Sequence, residues 1–94
     1  MYLFADVIFY SGQRKNLPGE GYRPDAIFNE SREYWGITFT ALPVEKFDDW
    51  TPGEIQFSFQ ECHYQEILPG QSFSIMEGPY QVGEGKVISI EKGE

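Results

Sequence analysis

The sequence predicts an all-β fold of about six strands, either a small closed barrel or a sandwich. Three observations predict it. Aromatic residues make up 17% of the chain, and such side chains suit the half-buried, pleated surface of a sheet. Apolar residues recur with period two, and no stretch carries a convincing helical period. Turn signals built from Pro and Gly separate these runs at regular spacing.

Residues 2–10 alternate Leu3, Ala5, Val7 and Phe9 against Tyr2, Phe4, Asp6, Ile8 and Tyr10. Successive side chains on a strand point to opposite faces, so Asp6 marks the second set as the outward one. That face still carries Phe4, Ile8 and Tyr10, more apolar than water alone favours. These three are candidate partner contacts.

Residues 11–21 read as a loop. Residues 22–29 start extended, because Arg23 precedes Pro24 and the proline ring disfavours the helical region there. Residues 34–41 place Trp35, Ile37, Phe39 and Ala41 on one face. Residues 42–50 hold Pro43 and the pair Asp48-Asp49, a loop or one short helical turn. Thr51-Pro52-Gly53-Glu54 and Leu68-Pro69-Gly70-Gln71 are the clearest turns, with proline setting φ and glycine free to take φ > 0. Between them Ile55, Phe57 and Phe59 alternate with Gln56, Ser58 and Gln60. Phe73, Ile75 and Glu77 form the next strand, followed by a glycine-bearing hairpin and a last strand over 87–91. The 94 residues make one domain, 1–94, with a modest core.

The formal net charge is -8, unevenly spread. Residues 1–40 carry a net of -1, and residues 41–94 a net of -7. Such a surface repels nucleic-acid backbones and anionic lipid, and suits a basic protein partner. The opening MYLFADVIFY lacks a basic leader and is interrupted by Asp6, so no targeting segment is expected. No apolar run approaches the ~20 residues of a spanning helix. A single cysteine leaves no internal disulfide framework and fits a cytoplasmic location.

Gly78, Gly83 and Gly85 raise the question of a phosphate-binding loop. Gly78 and Gly83 have the first Walker spacing, but Glu84 stands where the lysine should be and would repel phosphate. No helix follows to complete a dinucleotide fingerprint. These glycines are expected to serve a hairpin turn and bulge. Cys62 and His63 are adjacent on a predicted strand, point to opposite faces and cannot readily share a ligand or a proton. No second histidine completes a zinc site. The carboxylates Asp48, Asp49, Glu61 and Glu66 read as solvated surface. No catalytic residue, metal or cofactor is expected.

Six motifs then occur in order: GxR ending at Arg14, GYRP containing Tyr22 and Arg23, Trp35-Gly36, PGE over 52–54, GxxFxIxEG ending at Glu77-Gly78, and VGxGxV over 82–87. In this order they resemble the C-terminal β-barrel domain, the third domain, of elongation factor Tu, and the resemblance covers almost the whole chain. It implies a six-stranded antiparallel Greek-key barrel. It also implies that these 94 residues neither hydrolyse GTP nor deliver tRNA unaided, since no GTPase domain lies within them.

In that family the domain touches the T-stem of aminoacyl-tRNA and packs on the GTPase domain. Carried over by residue, the resemblance offers Arg14, Tyr22, Arg23, Glu77 and Gly78 as partner contacts, and His63 as a structural or interface residue. Met76 and Gln81 stand where the family has arginines. Asp25 replaces a glutamine, and Asn29-Glu30-Ser31 a basic stretch. Losing these donors removes charge that phosphate contacts require, so tRNA affinity is expected to be weak. Arg23 is expected to pair with a carboxylate and pin its loop. The reading is a non-enzymatic protein-binding barrel whose specific form is an immunity or antitoxin protein. Its alternative is a tRNA- or RNA-binding accessory of translation acting through Arg14, Lys15, Arg23 and Lys86.

Overall fold

A computed structural model describes residues 2–28, 33–57 and 67–91. Six strands appear in chain order: β1 (Tyr2–Phe9), β2 (Asp25–Phe28), β3 (Trp35–Ala41), β4 (Thr51–Phe57), β5 (Ser72–Glu77) and β6 (Tyr80–Glu91). No helix occurs among the described residues. The strands close into a barrel in the order β1-β4-β3-β2-β5-β6, with β6 returning to β1. Every neighbouring pair is antiparallel.

Strands β2, β3 and β4 are consecutive neighbours, while β5 returns beside β2 and β1 lies beside β4. Each of these returns completes a Greek key, and the two overlap in β2–β4. Full closure leaves the barrel without a continuous unpaired edge, which removes the usual template for strand-to-strand aggregation.

The inward residues follow the predicted alternation. Leu3, Ala5, Val7 and Phe9 of β1 are wholly buried, and Ile37, Phe39, Ile55, Phe57, Phe73, Ile75, Val82 and Val87 join them. Each large side chain so buried contributes about 1.5–3 kcal/mol relative to exposure. No polar or charged side chain is buried among the described residues. Aromatic clusters fill the two ends. Phe9, Tyr22 and Phe39 meet at one, with Tyr22 stacked on Phe39 at 5.8 Å. Phe28, Trp35, Phe57 and Phe73 meet at the other.

The turns are partly as expected. Leu68–Gln71 is a turn, with Gln71 N–H donating to Leu68 C=O at 3.2 Å and Gly70 at φ 90°. Gly78 and Pro79 form a two-residue hairpin loop between the paired residues Glu77 and Tyr80. Gly78 takes φ 61° and Pro79 is held at negative φ, the pattern of a type II′ turn.

Two expectations are corrected. Thr51-Pro52-Gly53-Glu54 is not a turn but the first half of β4, where Pro52 pairs with Asp6 of β1. Pairing with β3 begins only at Glu54, so Pro52 sits where β4 has one neighbour and its missing N–H breaks no ladder. Gly83 and Gly85 are not turn residues either; both are buried within β6. A Cβ at Gly83 would run into the Ile8 carbonyl oxygen, and one at Gly85 into the Phe73 ring. These glycines allow close approach, not reversal of the chain.

Bulges bend β6 twice. The register skips Val82 against β5 and Ile88 against β1. At the first, Ile75 and Met76 are both buried although adjacent. At the second, Ile88 is turned outward and is half exposed.

Candidate functional site

Two groups of predicted residues come together, one on the wall of the barrel and one at its end. The wall site is the outer face of β1. Phe4, Ile8 and Tyr10 lie on it as expected, but they are half-buried, not an open stripe. The larger exposure lies in their neighbours. Tyr2 begins the same row, Trp50 directly precedes Thr51, the register partner of Val7, and Ile88 occupies the β6 bulge beside Phe4. These three account for half of the six large apolar side chains exposed among the described residues.

Charge on this face has one dominant sign. Directly paired residues share a face of the sheet, so Glu54 stands beside Phe4, Glu84 beside Ile8 and Glu91 beside Tyr2. Asp6 lies in the β1 row itself. The only cation in this set is Lys86, the partner of Asp6. The result is an apolar patch bordered by carboxylates.

Tyr10 ends the row. Its hydroxyl donates to Glu84 Oε1 at 2.5 Å, and Gln81 Nε2 donates to the same hydroxyl at 3.3 Å. Burial, then the hydrogen bond to Glu84 and that carboxylate's charge, push the Tyr10 phenol up to about 12. The phenol is therefore a fixed donor near neutral pH. The end of β1 is also tied to the 42–50 loop. Asp48 N–H donates to Phe9 C=O at 2.7 Å, and Ser11 N–H donates to Asp48 Oδ1 at 3.1 Å. Hydrogen bonds from Ser11 hold the Asp48 carboxyl below its usual value.

The end site gathers Arg14, Tyr22, Glu77 and Gly78. The segment 10–24 crosses the barrel end, and Arg14 Nε meets Glu77 Oε2 at 2.7 Å. The Tyr22 hydroxyl donates to the same oxygen. The Arg14 guanidinium lies 4.8 Å from the centre of the Tyr22 ring and also donates to Asn16 C=O at 2.7 Å. Burial, then the bond to Glu77 and its charge, raise the Tyr22 phenol strongly, while Arg14 opposes the shift. The cluster is satisfied within itself: its one cation and one carboxylate neutralise each other.

Arg23 is exposed, and no described carboxylate pairs with it. The loop is held instead by Arg14 and by the backbone, with Phe39 N–H donating to Tyr22 C=O at 2.8 Å and Ile37 N–H to Pro24 C=O at 3.0 Å. Pro24 fixes its own φ but leaves the Arg23 side chain free to face solvent. Met76, read as a lost arginine contact, is buried, with Asp25 as its register partner on β2. His63 and Cys62 lie outside the described residues. Among those described, no three His, Cys, Asp or Glu residues form a group that would hold a metal ion.

Ile88 and Glu84 are site residues that pattern reading missed. Alternation within β1 exposes its own row, but which neighbours flank that row depends on strand order and register. The chain matches no protein-family model and no curated protein.

Proposed function

We propose that this chain is a non-enzymatic protein-binding barrel, a relative of the third domain of elongation factor Tu, which captures a basic protein through the outer face of β1. The observation that carries the reading is the composition of that face. Tyr2, Trp50 and Ile88 are exposed around half-buried Phe4 and Ile8, and Asp6, Glu54, Glu84 and Glu91 surround them. Apolar surface supplies affinity, and a predominantly negative border steers and selects the partner. The same border disfavours self-pairing, since a two-fold contact would set these carboxylates against their own copies.

Kinship with the elongation-factor domain is supported by the closed six-stranded antiparallel barrel with overlapping Greek keys and by the Gly78 turn where the EG motif ends. The specific form of the reading is an immunity or antitoxin protein, acting in the cytoplasm, that neutralises a basic toxin by presenting part of the factor's surface. The test is affinity capture with the immobilised barrel, identification of the bound protein, and reconstitution from purified components at two salt concentrations. A basic partner whose affinity falls with salt supports the reading. Capture of nucleic acid alone overturns it.

A second reading, RNA binding, is favoured by one observation: Lys15 and Arg23 are exposed on the crossing segment without partners among the described residues. It is opposed by the pairing of Arg14 with Glu77, which removes the best-placed cation from phosphate.

A further inference from the structure

On the outer wall of the β5–β6 hairpin, Ser72, Phe73, Ser74, Gln81 and Glu84 line a shallow depression of about 210 Å³. That is below the ~300 Å³ of an ordinary small-molecule cleft and suits a single long side chain. Register places Ser74 opposite Glu84 on one side, and Ile8 opposite Glu84 on the other. The depression therefore borders the apolar face of β1 through Glu84.

Its chemistry is that of an acceptor. Glu84 Oε1 is held by the Tyr10 hydroxyl at 2.5 Å, which fixes the carboxylate and leaves Oε2 with no donor among the described residues. No described cation forms an ion pair with Glu84. Gln81 commits its amide N–H groups to Tyr10 at 3.3 Å and to Gly83 C=O at 3.2 Å, so its own carbonyl remains an acceptor. The hydroxyls of Ser72 and Ser74 accept as well. One carboxylate is too few for a divalent cation, which takes six or more oxygen ligands in an all-protein site. A planar guanidinium, weakly hydrated and with five donors in a fixed fork, matches a carboxylate flanked by neutral acceptors.

We propose that this depression seats one arginine side chain of the protein partner. The guanidinium takes Glu84 Oε2 and the neighbouring serine hydroxyls, and its methylene stem runs toward Ile8. This rests on the protein-binding reading above and names the contact that selects the partner. Lys86, the partner of Ser72 in the adjacent row, opposes the incoming charge.

The test is a titration of the isotopically labelled chain with N-acetyl-arginine-N′-methylamide, followed through backbone amide resonances, with the uncharged citrulline analogue as comparison. The expected result is a saturating shift confined to Ser72, Ser74, Gln81 and Glu84. Binding of the citrulline analogue, and of the arginine amide to Glu84→Gln, should be weaker by ~10-fold or more, while Lys86→Gln should tighten it. Glu84→Gln keeps an acceptor for Tyr10, so its spectrum should stay dispersed. If that variant unfolds, the citrulline comparison and Lys86→Gln decide the matter in the folded chain. Equal response to citrulline overturns the proposal, as do shifts spread equally over Asp6, Glu54 and Glu91. Such a failure leaves the protein-binding reading standing, because that reading depends on the β1 face and fails separately if Ile8→Asp retains full partner binding.

Discussion

Arg14 and Glu77, 2.7 Å apart, join the segment that crosses the barrel end to the last residue of β5. Glu77 also accepts the Tyr22 hydroxyl, so one carboxylate anchors both the start and the finish of the crossing. Their side chains are 22% and 37% exposed, which places the pair near the surface regime, where an ion pair contributes about 0.5–1 kcal/mol. The hydroxyl of half-buried Tyr22 adds the cost of a lost acceptor. Glu77→Ala should therefore destabilise the barrel by about 1–2 kcal/mol in urea unfolding, and Glu77→Gln by less. A double-mutant cycle with Arg14→Ala should show coupling; additive effects would mean that the contact contributes nothing.

Alkaline stability should track the two bonded tyrosines. The Tyr10 phenol titrates at about 12 when folded against 10 when unfolded, and Tyr22 is raised further for the same reason. A group with a raised folded pKa contributes its full stabilisation below the unfolded value and loses it as pH rises through the folded one. Stability should then be level up to about pH 10 and fall toward pH 12. In ultraviolet titration, Tyr10→Phe should remove absorbance that appears toward pH 12. A Tyr10→Phe difference that appears instead near pH 10 would contradict the geometry.

The strand glycines make a packing prediction. Gly85→Ala would push a methyl group into the Phe73 ring, which is itself buried and lies 4.9 Å from Phe28. Overpacking of this kind costs about 1–3 kcal/mol. Phe73→Leu should recover part of the loss in the double variant, read as non-additive melting temperatures. Gly83→Ala meets the backbone at Ile8, so no side-chain substitution should rescue it.

Much of this fold is legible in the sequence, because the period-two pattern of β1 names both its faces. Leu3, Ala5, Val7 and Phe9 are inward without exception. Two physical effects defeat the same reasoning elsewhere. A bulge inserts one residue and reverses the facing beyond it, which is why adjacent Val82 and Gly83 are both buried and Ile88 of the alternating run 87–91 ends exposed. A Pro-Gly pair signals a turn only where the chain is free to reverse. At Pro52 the ladder with β1 continues on the other side. The site was less legible than the fold. Tyr10 and Glu84 are 74 positions apart, and Tyr22 and Glu77 are 55 apart. Only strand order and the path of the crossing segment bring them together.

Nucleic-acid affinity should be low and salt-sensitive. Arg14 is engaged by Glu77, which leaves Lys15 and Arg23 as the exposed cations of the crossing segment, on a chain of net charge -8. With so few phosphate contacts, any binding of aminoacyl-tRNA at low salt should vanish by ~0.15 M, where charges are screened beyond about 8 Å. Sub-micromolar affinity in an electrophoretic mobility assay at that salt would promote the RNA reading over the protein one.

Ile8 offers the most direct test of the β1 face. It points outward between wholly buried Val7 and Phe9, with Glu84 as its register partner. Ile8→Asp places a third carboxylate beside Asp6 and Glu84, yet it removes only a half-buried side chain from the wall. The loss of stability should stay near 1 kcal/mol, the usual size for a substitution outside the core. Capture of a basic partner should respond differently. The new charge must be desolvated within an apolar contact, a cost of the order of 1–3 kcal/mol when no hydrogen bond compensates. Binding should therefore fall roughly 5- to 150-fold while the melting temperature moves by only a few degrees. Ile88→Asp should act in the same direction from the adjoining bulge. If Ile8→Asp unfolds the chain, Ile8 is part of the core and β1 faces the other way. If neither Ile8→Asp nor Ile88→Asp weakens binding, the partner docks elsewhere on the barrel.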